Sequence, residues 1–320
     1  MFGARPAPEG GPRIGVLLCT YNGRQYLSAQ LNSIRVQTTP SWHLWVSDDG
    51  SSDQTDQILR ECQAAWGQAC GRERISILIG PSQGLVANFL RLVCDPAIEA
   101  DYYAYADQDD IWEPHKLERA VGWLETVPES VPALYCSRTK IIDETGKEVG
   151  LSPLFTRKPS FSNALVQNIA GGNTMVFNNA ARDILRRAGM HVNVVIHDWW
   201  TYLAVAGCGG RVFYDSHPTV RYRWHKENQI GPSFGFRARV SRLKRLWEGR
   251  FRDWNSINAT ALKEIQDYLT PENLETLNRF LRARDCWLVP RLIEMKRARV
   301  YRQTLLGNAS LIVAAILKKL

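Results

Sequence analysis

The chain has 320 residues and a mass of 36.4 kDa, with 45% hydrophobic and 22% charged residues. This composition excludes a largely disordered, collagen-like or disulfide-stapled chain, and no apolar run reaches the roughly 18–20 residues that span a bilayer. The net charge of +8 is uneven, because residues 237–320 hold 18 basic and 8 acidic side chains and the remainder is close to neutral.

Residues 1–12 read as a flexible Pro/Gly/Ala tail without the apolar stretch of a secretory signal. From residue 14, short apolar runs alternate with amphipathic stretches. The expected strands are 14–19, 42–47, 75–79 and 101–106. The expected helices are 25–35, 54–65, 86–93 and 114–126, the last with Pro114 near its first turn. Alternation at this spacing predicts a mostly parallel sheet with helices on both faces. Further strands are expected at 134–137, 139–143, 174–178, 211–214 and 219–223, with a helix at 180–189. Everything after residue 235 reads as helix. The pattern gives three segments: a tail (1–12), an α/β domain (13–235) and a basic helical extension (236–320). Seven scattered cysteines without a CxxC pair argue against structural zinc and for a reducing, cytoplasmic compartment.

Polar clusters fall where the strands end: Thr20-Tyr21-Asn22, Ser47 through Asp53, and Asp107-Gln108-Asp109-Asp110. In a parallel sheet these share one rim, where ligands bind. Asp107 and Asp109 are two apart, so in an extended segment they point the same way. Paired carboxylates suit a hard divalent cation, Mg²⁺ or Mn²⁺, with phosphates attached. A solvated acidic loop or a helix cap is the plainer alternative. Asp48, nearest its strand end, can accept a hydrogen bond from the N3–H of a pyrimidine, whereas Asp49, Gly50 and Ser51 read as an Asx-turn. There is no GxxxxGK[ST] and no GxGxxG after the first strand, so neither a P-loop nor a dinucleotide fingerprint is present.

The stretches VLLCTYNG, WVSDDGSSDQT, GLVANFLRL, YADQDDIWEPHKLE, IAGGNTMVFN, HDWW and YRWHKENQIG occur in order over about two thirds of the chain. As an ordered set they resemble glycosyltransferase family 2, a GT-A-fold family, and in particular its bacterial rhamnosyltransferase-like branch. The resemblance implies a Rossmann-like mixed sheet with flanking helices, and an inverting, metal-dependent sugar transfer in surface-polysaccharide synthesis. It places Thr20, Tyr21, Asp48 and Asp107 on the nucleotide, Asp109 and His225 on the metal, and Asp198 as the base that deprotonates the acceptor hydroxyl. Gly172, Asn173, Trp199 and Arg223 are candidate donor or acceptor contacts. DQDDIW points by association to dTDP-rhamnose as donor, with a UDP-hexose as the alternative and a non-catalytic glycan-binding scaffold as the rival. Without the resemblance, Asp198 reads as a helix cap and His225 as a packing residue. The Trp224 and Lys226 that flank His225 depart from the branch's usual Gln and Gly.

The basic extension, with Phe234, Phe236, Leu243, Leu246 and Trp247 among Arg and Lys, reads as a membrane-surface element on the inner face of the cell membrane, suited to a lipid-linked acceptor. Packing on the α/β domain or homodimerisation is the competing expectation. No nucleic-acid motif accompanies the charge.

Overall fold

The computed structural model describes residues 11–70, 74–225 and 250–320. Strand β1 (Ile14–Thr20) is buried at all seven positions. A strand covered on both faces needs such an unbroken apolar run. It is flanked by β2 (Trp42–Asp48) and β4 (Tyr102–Ala106), both parallel to it, and β3 (Ile75–Ile79) extends the sheet beyond β2. The register sets Thr20 opposite Asp48 and Leu18 opposite Ala106. That register brings the three polar clusters to one rim.

The other half of the sheet departs from the expected parallel pattern. The strand order is β3-β2-β1-β4-β8-β6-β9-β5, with β7 on the free side of β6. Here β5 is Ile111–Trp112, β6 Ala133–Ile142, β7 Glu148–Leu151, β8 Val176–Asn178 and β9 Arg211–Arg223. Among the described residues four of the eight strand pairings are antiparallel, so the sheet is mixed. Two expected strand pairs are single long strands. β6 runs through Arg138 with a register shift between Ser137 and Thr139, and β9 runs through Asp215–Pro218. The polar interruptions that read as gaps are irregularities within continuous strands.

Helices α1 (Leu27–Arg35), α2 (Thr55–Cys70) and α4 (Lys116–Leu124) cover one face. Helices α3 (Leu85–Cys94), α5 (Phe161–Ala164), α6 (Asn179–Ala188) and α7 (His197–Gly207) cover the other. α6 starts where Asn178 accepts the Ala181 N–H, which satisfies one orphan donor of its first turn.

The expected helical ending holds over residues 250–320: α8 (Arg250–Ala261), a 3₁₀ stretch (Leu262–Tyr268), α9 (Pro271–Asp285), α10 (Leu288–Arg297) and α11 (Leu305–Ile316). These helices pack on the α/β domain. Phe251, Leu262, Phe280 and Leu311 belong to the same apolar core as Trp200 and Leu203 of α7. Asn273 donates to the Ala206 and Gly207 carbonyls at the end of α7, at 3.0 and 2.9 Å. The apolar anchors expected at Phe234, Phe236, Leu243, Leu246 and Trp247 lie outside the described residues. Among the described residues no helix is long and apolar enough to cross a membrane.

Candidate active site

A cavity of about 1150 Å³ opens at the rim. One wall is made by the loops after β1 and β2 and the turn before α3, through Thr20, Tyr21, Asp49, Ser82 and Gly84. The loop after β4 contributes Asp107, Gln108 and Asp109, and the far wall holds Asn168–Asn173, Asp198 and His225.

The β1 side is built by side-chain bonds to main chain. Gln108 Oε1 accepts the Tyr21 N–H at 2.9 Å, and its Nε2 donates to the Tyr21 carbonyl at 3.0 Å. This two-way amide clasp locks the β1 loop to the β4 loop. A Cβ at Gly23 would stand 2.4 Å from Gln108 Oε1, so the clasp needs glycine there. Thr20 Oγ1 donates to Asp48 Oδ1 at 2.7 Å, and the same carboxylate accepts the Ser51 hydroxyl and N–H. Asp48 is therefore engaged in its own turn, partly exposed at the end of β2 and outside the cavity lining. Asp49 lines the cavity instead, although the Asx-turn reading fell on it. Its two oxygens accept the Ser82 and Gly84 N–H groups, each at 2.7 Å, and so fix the loop before α3.

The β4 loop turns at Gln108–Asp109 rather than staying extended. Asp107 and Asp109 are thus separated by a turn, not aligned along a strand, yet both reach the cavity. Burial pushes the Asp107 carboxyl well above the ordinary range, and the Asp109 and Asp198 charges add to the shift. Asp110 is fully buried, bonded to Asn173 Nδ2 and to the Arg223 N–H, the latter at 3.1 Å, and burial raises its carboxyl too. Asp109 Oδ2 meets His225 Nε2 at 2.7 Å, and the imidazole leans on Tyr26 with ring centroids 5.4 Å apart.

Arg223 does not line the cavity. It is 4% exposed, its guanidinium bonds the carbonyls of Asp109, Asp143 and Glu144, and it stacks over Tyr26. It is a strut beneath the Asp109 turn. Trp199 is likewise a core residue, buried with its Nε1 donating to the Ala164 carbonyl at 2.7 Å and its ring edge-on to Trp254. No sugar ring reaches it there.

Asp198 sits in the first turn of α7, whose cap is Ile196, so it is not the cap residue. Its Oδ2 accepts the Gly172 N–H at 2.9 Å and its Oδ1 the Trp199 N–H at 2.6 Å. Burial raises its pKa to about 6, against the pull of the Trp199, Gly172 and Asn168 hydrogen bonds. His197 beside it is buried and stacked on Phe89 at 3.9 Å, and burial drops its pKa to about 3, so it stays neutral. Gly172 touches both: a Cβ there would meet His197 Nε2 at 2.5 Å and Asp198 Cβ at 3.2 Å. The stacked imidazole has little room to yield. Gly172→Ala is therefore expected to displace the Asp198 carboxylate, reduce turnover about 10²-fold and lower the melting temperature by several degrees. Turnover and thermal melts on the same sample check this.

Among the described residues no three His, Cys, Asp or Glu side chains stand together as a metal cage. Asp109 and His225 supply a carboxylate and an imidazole at the cavity surface, beside the buried carboxyls of Asp107 and Asp110. That donor set fits a divalent ion completed by phosphate oxygens and water, although the imidazole departs from the all-oxygen set usual for Mg²⁺. Gln108, Asp49 and Asn168 were missed in the sequence because their roles depend on partners far away in the chain.

The family model for glycosyl transferase family 2 matches residues 15–185. The dTDP-rhamnosyl transferase RfbG of Shigella flexneri is 29% identical over 239 residues, covering 71% of this chain and 78% of that protein. Among solved structures, S. aureus TarS 1-349 in complex with UDP-GlcNAc superposes with a TM-score of 0.51 at 16% identity, over 96% of this chain and 88% of that one. GalNAc-T7 with UDP, GalNAc and Mn²⁺ gives 0.51 at 10% identity, over 91% and 56%. The structural matches share the fold.

Proposed function

The chain belongs to glycosyl transferase family 2, and we propose that it moves L-rhamnose from dTDP-rhamnose to a hydroxyl of a saccharide or lipid-linked acceptor, with inversion, in surface-polysaccharide assembly at the inner face of the cell membrane. It is a glycosyltransferase of GT-A fold in the rhamnosyltransferase-like branch. The observation that carries the proposal is the meeting in one cavity of the Asp109–His225 pair and the Asp198 carboxylate held by the Gly172 N–H. The similarity to RfbG supports the choice of donor.

The nucleotide is assigned to the wall of Thr20, Tyr21 and the 82–84 loop, with Asp107 at the ribose. Asp48 reads the pyrimidine only through a lone pair left over from its Thr20 and Ser51 bonds. Asp109 and His225 would hold Mg²⁺ or Mn²⁺. Such an ion would offset the charge that grows on the departing diphosphate. Gly172 and Asn173 face the donor sugar or the acceptor. Asp198 takes the proton of the acceptor hydroxyl as that oxygen bonds the anomeric carbon and the bond to the diphosphate oxygen breaks. One displacement from the opposite face converts a β-linked donor into an α-linked product. Residues 13–235 form the catalytic domain in this reading, and 236–320 its helical extension.

Calorimetric titration with dTDP-rhamnose, UDP-hexoses and GDP-mannose in Mn²⁺ tests the donor. The expected result is tightest binding of dTDP-rhamnose, and a preference for a UDP-sugar would overturn the donor assignment. The base makes a separate prediction. Asp198 acts ionised, and its raised pKa means that it gains a proton as the pH falls through about 6. The kcat/KM is expected to fall about tenfold per pH unit below about 6 and to level off above it. A pH–rate profile without that limb contradicts the role.

A further inference from the structure

Helices α10 and α11 carry a surface that sugar transfer does not use. α10 buries Arg291 and Met295 and turns Leu288, Val289, Leu292 and Ile293 outward, and Trp287 just before it is 87% exposed. α11 buries Leu311, Ala314 and Ala315, yet Leu305, Leu306, Ile312, Val313 and Ile316 stand on its other side, Leu305 at 91% exposure. Its twelve residues include no charge. Apart from Asn308 and Ser310 it is apolar on both sides, and only one side has the protein core. Outward apolar area on this scale on neighbouring helices marks an interaction surface rather than scattered exposure.

The two helices are not a loose tail. The Arg291 guanidinium, 4% exposed, donates to the Ala283 carbonyl of α9 at 3.1 Å, to that of Cys286 at 2.6 Å and to that of Ala315 in α11 at 2.7 Å. The connection between them docks beside the cavity. Asn163 Nδ2 donates to the Tyr301 carbonyl at 2.9 Å, and Gln167 Oε1 accepts the Gln303 N–H at 2.8 Å, one residue before Asn168 of the cavity wall.

Charge decides what covers the surface. Residues 286–320 hold seven Lys and Arg against the single Glu294. Lys296, Arg297 and Arg299 follow the apolar face of α10, and Lys318 and Lys319 follow that of α11. A second copy of this chain would bring like charges together across a shared apolar patch. A bilayer with anionic headgroups takes both features at once: apolar faces at the acyl boundary, and flanking cations at the phosphates. Neither helix is long enough to cross.

We propose that α10 and α11 form a rigid interfacial anchor that seats the protein on an anionic lipid surface, with the cavity wall at Asn168–Asn173 held next to it. That this seat would bring a lipid-linked acceptor to the cavity rests on the proposed function, whereas the anchor itself does not. Flotation of the full chain with phosphatidylcholine vesicles, with and without phosphatidylglycerol, tests it alongside the Leu305→Ser/Leu306→Ser and Trp287→Ser/Val289→Ser variants. Donor binding by calorimetry without vesicles serves as the control for folding. The expected result is binding to the phosphatidylglycerol vesicles that falls about tenfold or more in both variants, with donor affinity unchanged. Absence of vesicle binding overturns the anchor, as does binding that ignores the substitutions or phosphatidylglycerol. A dimer in sedimentation equilibrium that Leu305→Ser/Leu306→Ser dissociates, without vesicle binding, assigns the surface to a second copy instead. Failure to bind any nucleotide sugar, with vesicle binding intact, counts against the proposed function and not the anchor.

Discussion

Asp198→Asn is expected to lower sugar transfer about 10³-fold while donor affinity stays within about threefold. The amide keeps the size of the carboxylate. It can still accept the Gly172 N–H through its oxygen and so hold the 171–173 loop, but its Nδ2 then faces the Trp199 N–H, a donor against a donor. What is lost is a proton acceptor at the point where the hydroxyl must ionise. The mutation removes a buried negative charge near Asp107 but leaves the Trp199 N–H without its acceptor, so the melting temperature is expected to shift by only a few degrees. A loss of activity with the fold and donor binding retained separates a chemical role from a structural one. Equal loss of donor binding and turnover would make Asp198 a scaffold residue.

Asp109→Ala is expected to produce a comparable loss by another route. A metal-centred charge interaction contributes several kcal/mol, so kcat/KM should fall about 10³-fold, and Mn²⁺-dependent donor binding should weaken with it. His225→Ala leaves the carboxylate in place, and excess Mn²⁺ should restore part of its activity. Excess metal should not help Asp198→Asn. The three variants therefore form a pattern: two defects in metal-dependent donor binding, of which excess metal relieves the His225→Ala one, and one defect that is independent of metal. Calorimetry across a Mn²⁺ titration checks it. Donor binding by Asp109→Ala that is as tight as in the wild type would remove the metal from the account.

The rim was legible because its residues follow apolar runs with strand spacing. Ile14–Thr20 reads as a strand buried on both faces, and the polar residues that follow it mark its end. Register then aligns Thr20 with Asp48 and Leu18 with Ala106. The antiparallel half was not legible. β5 has two residues and β8 three, too few to show a period, and β6 and β9 pass through polar residues without ending. The Gln108 clasp joins residues 87 apart, and no local pattern encodes such a pair. The Trp199 and Arg223 readings show the same limit. An aromatic ring or a guanidinium near a site motif suits either ligand or core, and only packing decides, here in favour of the Ala164 and Asp109 carbonyls. Asp48 and Asp49 are adjacent, and the orientation of the β2 end, not residue type, puts Asp49 at the cavity surface.

The most direct test of the central claim, one displacement driven by a single base opposite the departing diphosphate, is the anomeric configuration of the first sugar released from dTDP-β-L-rhamnose. Water serves as acceptor, and proton NMR follows the Mn²⁺-loaded protein before mutarotation equilibrates the anomers. The account predicts α-L-rhamnose as the first anomer, formed by the wild type and not by Asp198→Asn. Initial release of the β anomer would contradict it, because a single displacement from the face opposite the diphosphate inverts the anomeric centre.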